Sequence, residues 1–159
     1  GQKGFRMAKL VNLIDEIKKH ARVFISAEDK VPKIFKKYQL SINPNEIHDV
    51  LSFADLFIGE GATMASECAI MGTPSIYVNS LSAGTLKDQE KKGILTTFSS
   101  SNGLIKKSRD ILANPKAKKE AKQKSIELFD KKIDINIFFC WLISKYPKSI
   151  IDYKTNLTI

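Results

Sequence analysis

Glu67 follows Thr63 by four residues, and Thr63 follows the small pair Gly61-Ala62 directly. Small residues let a phosphate approach backbone N–H groups closely. A carboxylate one helical turn further on can accept two hydroxyl hydrogen bonds, which suits a ribose diol. These residues lie inside the run from Phe53 to Val78, which reads as strand, glycine-bearing turn, short helix, second turn and second strand. Such a βαβ unit aims the helix N-terminus at the carboxyl edge of a parallel sheet, where α/β proteins hold phosphates. The segment therefore suggests a nucleotide or nucleotide-sugar site. Taken singly, each residue has a plainer reading: an exposed glutamate, and a generic Gly72-Thr73-Pro74 exit turn. The conjunction carries the inference.

Further residues stand as secondary candidates. His48 opens the preceding helix and is a candidate acid or base near the cleft, although a helix-opening, structurally hydrogen-bonded histidine is the plainer reading. Gly84 and Thr85 follow the second strand and could offer backbone donors to a sugar or phosphate. Asp55 reads as a turn or capping residue, and Gln89 and Glu90 as surface. No spacing of Cys and His suggests a metal.

The elements that must position these groups can be read from periodicity. Phe5, Leu10, Leu13, Ile14 and Ile17 form a helical stripe. Residues 22–26 read as a short strand and 40–42 as a short strand or extended piece, with a Pro32-initiated helix between them. Asn45 can cap a helix over 46–53. Strands follow at 56–58, 74–78 and 94–98, and helices at 62–71, 86–92 and 104–113. Gly72 suits a left-handed C-terminal cap, and Met64, Cys68 and Met71 form a core face at i, i+4, i+7. A charged helix runs from Pro115 to Phe129, and Asp134 begins a last helix that ends before Pro147. Alternating strands and helices predict an α/β fold, a Rossmann-like parallel sheet with helices on both faces. Residues 1–150 form one such domain and residues 151–159 a tail. Because the chain starts on a helix, a first strand is expected upstream, in a parent of which this is a fragment.

Composition narrows the classes. The 159 residues suffice for one core, with 43% hydrophobic and 27% charged content. No apolar run approaches the roughly 20 residues of a membrane span, and no signal peptide is visible. Cys68 and Cys140, far apart on apolar helical faces, read as buried free thiols of a reducing cytoplasm. The net charge of +9 is carried by 23 Lys and 3 Arg. A nucleic-acid reader would be richer in arginine and clustered aromatics. A solvated lysine surface, with contact to anionic lipid at the inner membrane face as a further possibility, fits better.

A resemblance adds to this reading. His48-Asp49-Val50-Leu51, Ala54-Asp55-Leu56, Thr63-Met64, Glu67-Cys68-Ala69 and Gly72-Thr73-Pro74 are similar to an uncharacterised family of GT-B-like proteins. More distantly they resemble the UDP-N-acetylglucosamine 2-epimerases and the N-acetylglucosaminyltransferase of peptidoglycan synthesis. The resemblance implies the C-terminal half of a GT-B fold that binds a UDP-sugar as ligand. No cofactor and no metal are implied, since the helix dipole and backbone N–H groups neutralise the diphosphate. It implies diphosphate binding at Gly61, Ala62 and Thr63, and ribose binding at Glu67. Two departures stand out: Glu60 precedes the first small residue where relatives often carry Ser or Asp, and the loop 79–85 lacks the Gln pair of the peptidoglycan transferases.

The last helix is apolar nearly all round, with Ile135, Ile137, Phe138, Phe139, Trp141, Leu142 and Ile143. Such a helix needs cover on more than one side. The expected cover is the missing N-terminal half or a second copy of the chain. Expectations for function are therefore a glycosyltransferase-like or epimerase-like parent whose fragment alone is inactive. The alternative is a non-catalytic binding or assembly module that keeps the fold with a decayed site. A receiver-like signalling domain lacks a convincing acidic cluster, since Asp29 and Asp55 do not make one.

Overall fold

Three short runs rich in β-branched and aromatic residues become the sheet. In the computed structural model, which describes residues 7–27, 30–130 and 132–156, these are β1 (Phe57–Gly59), β2 (Ser75–Val78) and β3 (Leu95–Phe98). They pair in parallel in the order β1-β2-β3, with Phe57 opposite Ser75 and Ser75 opposite Leu95. Helices α1 (Met7–Ile17), α2 (Ile47–Phe53), α3 (Ala62–Met71), α4 (Gly84–Lys91), α5 (Leu104–Ala113) and α6 (Ala117–Phe129) accompany them, followed by α7 (Ile135–Ser144) and α8 (Lys148–Asn156). This is the α/β, Rossmann-like arrangement that the alternating pattern predicts. The chain divides into two compact units, Gly1–Glu127 and Leu128–Ile159.

Strand periodicity sorts the helices of the first unit. Alternate side chains leave opposite faces of a sheet. Ile76 and Val78 pack with Leu13 and Ile17 of α1 and with Leu104 of α5 on one face. Ser75 points to the other, where its hydroxyl donates to the carbonyl of Ala65 on α3 (2.8 Å). The α3 and α4 crossovers step the same way along the sheet, so both helices fall on that second face. There α3 buries Ala65, Cys68 and Ala69. The expected core face of Met64, Cys68 and Met71 is thus rotated: both methionines are only half-buried, because alanines give the closer approach to the strands.

The C-terminus of α3 is closed twice over. Gly72 adopts φ +84, Gly72 N–H donates to Ala69 O (3.2 Å) and Thr73 N–H to Cys68 O (2.9 Å), a Schellman arrangement. Two carbonyls with no partner inside the helix are then met by α6: the Ser125 hydroxyl donates to Ile70 O, and Lys122 Nζ to Met71 O (3.2 Å).

Several expected elements differ. Residues 22–26 and 40–42 do not form strands. Their pairing is a parallel bridge between Ile25 and Gln39, with Ile25 N–H donating to Tyr38 O (2.7 Å) and Leu40 N–H to Ile25 O (2.8 Å). Val23-Phe24-Ile25 has the composition of a strand, but Phe24 is 53% exposed, and β-propensity is realised only where a neighbour supplies a ladder and a packed face. The expected helix after Pro32 is a 3-10 helix over Lys33–Tyr38. Asn43, not Asn45, caps the turn before α2, its side chain accepting from Asn45 N–H (3.1 Å). Gly84 and Thr85 lie in the first turn of α4 rather than in a loop. The stripe on α1 buries Leu13, Ile14 and Ile17, while Phe5, like Asp29, lies outside the described residues.

In the second unit, the last apolar helix begins at Asp134 as expected, and Asp134 proves to be its N-cap, accepting from Asn136 N–H (2.8 Å) and Ile137 N–H (3.2 Å). Where a frayed end was expected, α8 continues to Asn156. Pro147 precedes it, a position that suits helix initiation as well as termination. Phe138 stacks at a tilt on Phe139, Trp141 and Tyr153, at centroid distances of 5.5–5.9 Å. Trp141 is half-buried, and Cys140 is exposed rather than buried as expected.

Candidate functional site

All three strands end on the same edge of the sheet, and the turns that leave them hold the candidate residues. After β1 the chain passes Glu60 and enters α3 with Gly61 as N-cap, at φ −82 and ψ 118. Among the described residues no side chain caps this terminus, and no atom lies within 4 Å of where a Gly61 Cβ would stand. Ala62 and Thr63 occupy the first turn, Thr63 exposed and Ala62 half-buried. The first-turn amides of a helix lack intrahelical acceptors and carry the positive end of its dipole. Gly61, Ala62 and Thr63 thus form a helix start that no side chain caps, with space beside Gly61.

Asn79 holds this edge together. It is 4% exposed at the end of β2. Its Nδ2 donates to the Glu60 carbonyl (3.1 Å), and its Oδ1 accepts from Leu81 N–H (3.1 Å). One amide thus fixes the turn entering α3 relative to the loop entering α4. Sequence reading passed over this residue. The signal available was its place directly after a strand, where Asn side chains commonly organise turns. Gly84 and Thr85 begin α4 on the same edge, with open space around Gly84 among the described residues.

Glu67 sits in the second turn of α3, and His48 in the first turn of α2. Their side chains meet: His48 Nε2 and Glu67 Oε2 are 2.9 Å apart. The pair is partly open to solvent, with the His48 side chain 56% and the Glu67 side chain 39% exposed. At the other end of α2, the Thr73 hydroxyl donates to Leu51 O (2.8 Å). Both ends of α2 are therefore tied to α3 or to its exit turn. The structure brings together the two side chains whose spacing, 19 residues, gave no sign of contact.

The neighbouring polar residues divide by role. Gln89, expected at the surface, is 6% exposed, and its Nε2 donates to the Ser66 hydroxyl (2.5 Å), tying α4 to α3. Its polar character misled the reading because α4 lays this position against α3. Glu90 is exposed, and its Oε1 accepts from Thr97 N–H (2.9 Å) and the Thr97 hydroxyl (2.6 Å). Asp55 is exposed between α2 and β1. Cys68 lies beneath the site. Burial, and secondarily the charge of Glu67, push its thiol up to about 12 from an ordinary 9.0, so it stays a neutral core group. Among the described residues no three His, Cys, Asp or Glu side chains gather as metal ligands would, and no helix is long and apolar enough to cross a membrane.

A family described as a protein of unknown function (DUF354) matches residues 5–137, a span that includes the sheet, both candidate helix N-termini and the His48–Glu67 pair. The searches of curated proteins and of solved structures returned no match.

Proposed function

The chain belongs to that family of unknown function, and we propose that it is a nucleotide-sugar binding domain, taking a UDP-sugar, of a GT-B-type glycosyltransferase or sugar epimerase. One observation carries the reading. The α3 N-terminus is open at the carboxyl edge of a parallel sheet, and the half-exposed Glu67 carboxylate stands one turn along the same helix. The Gly61, Ala62 and Thr63 amides would hold the diphosphate and Glu67 the ribose diol. The α4 N-terminus at Gly84 and Thr85 offers donors for the sugar or its phosphate. Helix dipoles stabilise a diphosphate leaving group in such a site. The acid or base of a full reaction would come largely from the opposing half of a GT-B protein. The apolar surface of α7, where Ile137 and Ile143 are 70% and 74% exposed, is read as the face for that half or for a second copy. Lysine-rich surfaces would permit contact with an anionic membrane.

The test is calorimetric titration with UDP before and after Glu67→Gln. The substitution should weaken binding by about 1–3 kcal/mol, the range for a hydrogen bond to a charged group, or roughly 5–150-fold in Kd. An unchanged Kd removes Glu67 from the site. The second reading, a non-catalytic binding or assembly module, is favoured by Glu60 directly before the Gly61 turn and by the exposed α7. It predicts that no nucleotide raises the melting temperature, whereas a bound ligand must raise it.

A further inference from the structure

We infer that His48 is a positioning residue for Glu67, one that presets the carboxylate for a vicinal diol before ligand arrives. The inference rests on the proposed nucleotide site and assigns within it the recognition of the ribose 2′- and 3′-hydroxyls. A glutamate on a helix surface has three side-chain torsions, and fixing them on binding costs affinity. Here one carboxylate oxygen, Oε2, is already engaged 2.9 Å from His48 Nε2. A carboxylate has about four acceptor positions, so a single imidazole leaves capacity for two hydroxyls.

The helix that carries the imidazole is itself held in place. His48 stands in the first turn of α2, behind the Pro44–Glu46 turn that Asn43 caps. The far end of α2 is fixed through Leu51 O and the Thr73 hydroxyl. The chain therefore orients the Glu67 carboxylate from a second helix, whose far end is held at the α3 exit turn. With its Nε2 directed at Glu67, His48 acts through the carboxylate rather than on a reacting sugar atom, which replaces its reading as an acid or base.

The experiment compares UDP with 2′,3′-dideoxy-UDP by calorimetry, on the wild type, His48→Ala, His48→Gln and Glu67→Gln. Melting temperature is recorded for each, so that only folded variants are compared. The wild type should bind UDP at least about tenfold more tightly than the dideoxy analogue, the loss of one or two hydrogen bonds to a charged group. In Glu67→Gln and His48→Ala the ratio should fall towards one. In His48→Gln, whose amide can still donate to the carboxylate, it should largely recover. A merely structural His48 would change stability or overall affinity and leave the ratio intact. If the wild type discriminates and His48→Ala keeps the same ratio, the positioning role is wrong and the nucleotide site survives. If the wild type binds neither compound, the nucleotide reading fails and this inference falls with it.

Discussion

Replacing Gly72 by Ala should be one of the most damaging single-methyl changes in the first unit, and its cost can be worked out from the geometry. Gly72 holds φ +84 at the C-terminus of α3. An L-residue forced into that region costs about 1 kcal/mol or somewhat more. A Cβ there would stand 2.6 Å from Lys122 Cδ and 2.7 Å from Lys122 Cα. The side chain can swing aside, but the Cα belongs to the backbone of α6, so the helix must shift. Overpacking of this kind adds about 1–3 kcal/mol. The shift would also pull Lys122 and Ser125 from the Met71 and Ile70 carbonyls. The sum is about 2–4 kcal/mol. At about 2–4 °C per kcal/mol for a chain of this size, the melting temperature should fall by roughly 4–16 °C. Thermal and urea unfolding followed by far-ultraviolet circular dichroism measure it, with the urea m-value unchanged if only stability moves. Gly61→Ala is the internal control. Its φ is −82 and its Cβ would meet open space among the described residues, so neither strain nor a clash is added, and exchanging a glycine N-cap for alanine should cost less than about 1 kcal/mol. Equal melting temperatures for Gly72→Ala and the wild type, or equal losses for both alanines, would refute the reasoning.

On the proposed nucleotide-sugar reading, the same Gly61→Ala variant should weaken UDP binding by at least about tenfold, because the new methyl would stand where that reading brings the diphosphate to the backbone; unaltered affinity would contradict this placement. Cys68 should resist thiol reagents in the native protein while Cys140 reacts, giving one accessible thiol before unfolding and two after. The Cys68 thiol is also predicted to make folding sensitive to alkali. Its folded value is raised to about 12 while the unfolded thiol ionises at 9.0, so above pH 9.0 the unfolded chain binds fewer protons and stability falls with rising pH. The slope from this group is up to about 1.4 kcal/mol per pH unit, and urea unfolding of the wild type should show it relative to Cys68→Ala; parallel pH profiles would contradict the assignment. If a second copy covers α7, the fluorescence of Trp141, the single tryptophan, should shift to the red on dilution as the dimer separates, whereas a spectrum independent of concentration argues against that cover.

The part of the fold most legible in the sequence is the part with the strongest punctuation. Between β1 and β2, an apolar triplet, a glycine turn and the Gly72 cap specify the same order of elements, and agreement across levels fixes an element, although the face that α3 buries was not legible from its period. The start of α7 at Asp134 was likewise legible. The misread regions lacked such agreement. Val23-Phe24-Ile25 has strand composition but pairs only through Ile25, since strand formation depends on a neighbour that local sequence does not reveal. Gln89 and Cys140 were assigned the wrong exposure because polarity and hydrophobicity are averages, whereas burial depends on what packs against one position: α4 sets Gln89 over Ser66. The candidates Gly61, Ala62 and Glu67 could be named from residue type and spacing, and Thr63 through the resemblance. The contact of Glu67 with His48 and the bracing by Asn79 could not, because both are tertiary contacts between separate elements.

The central claim, a nucleotide-sugar site at the α3 N-terminus, is tested most directly by calorimetric titration of the protein with UDP, with ADP as the control. The account predicts a saturable heat with UDP that is absent with ADP. No heat with UDP, or an equal response to both nucleotides, would contradict it.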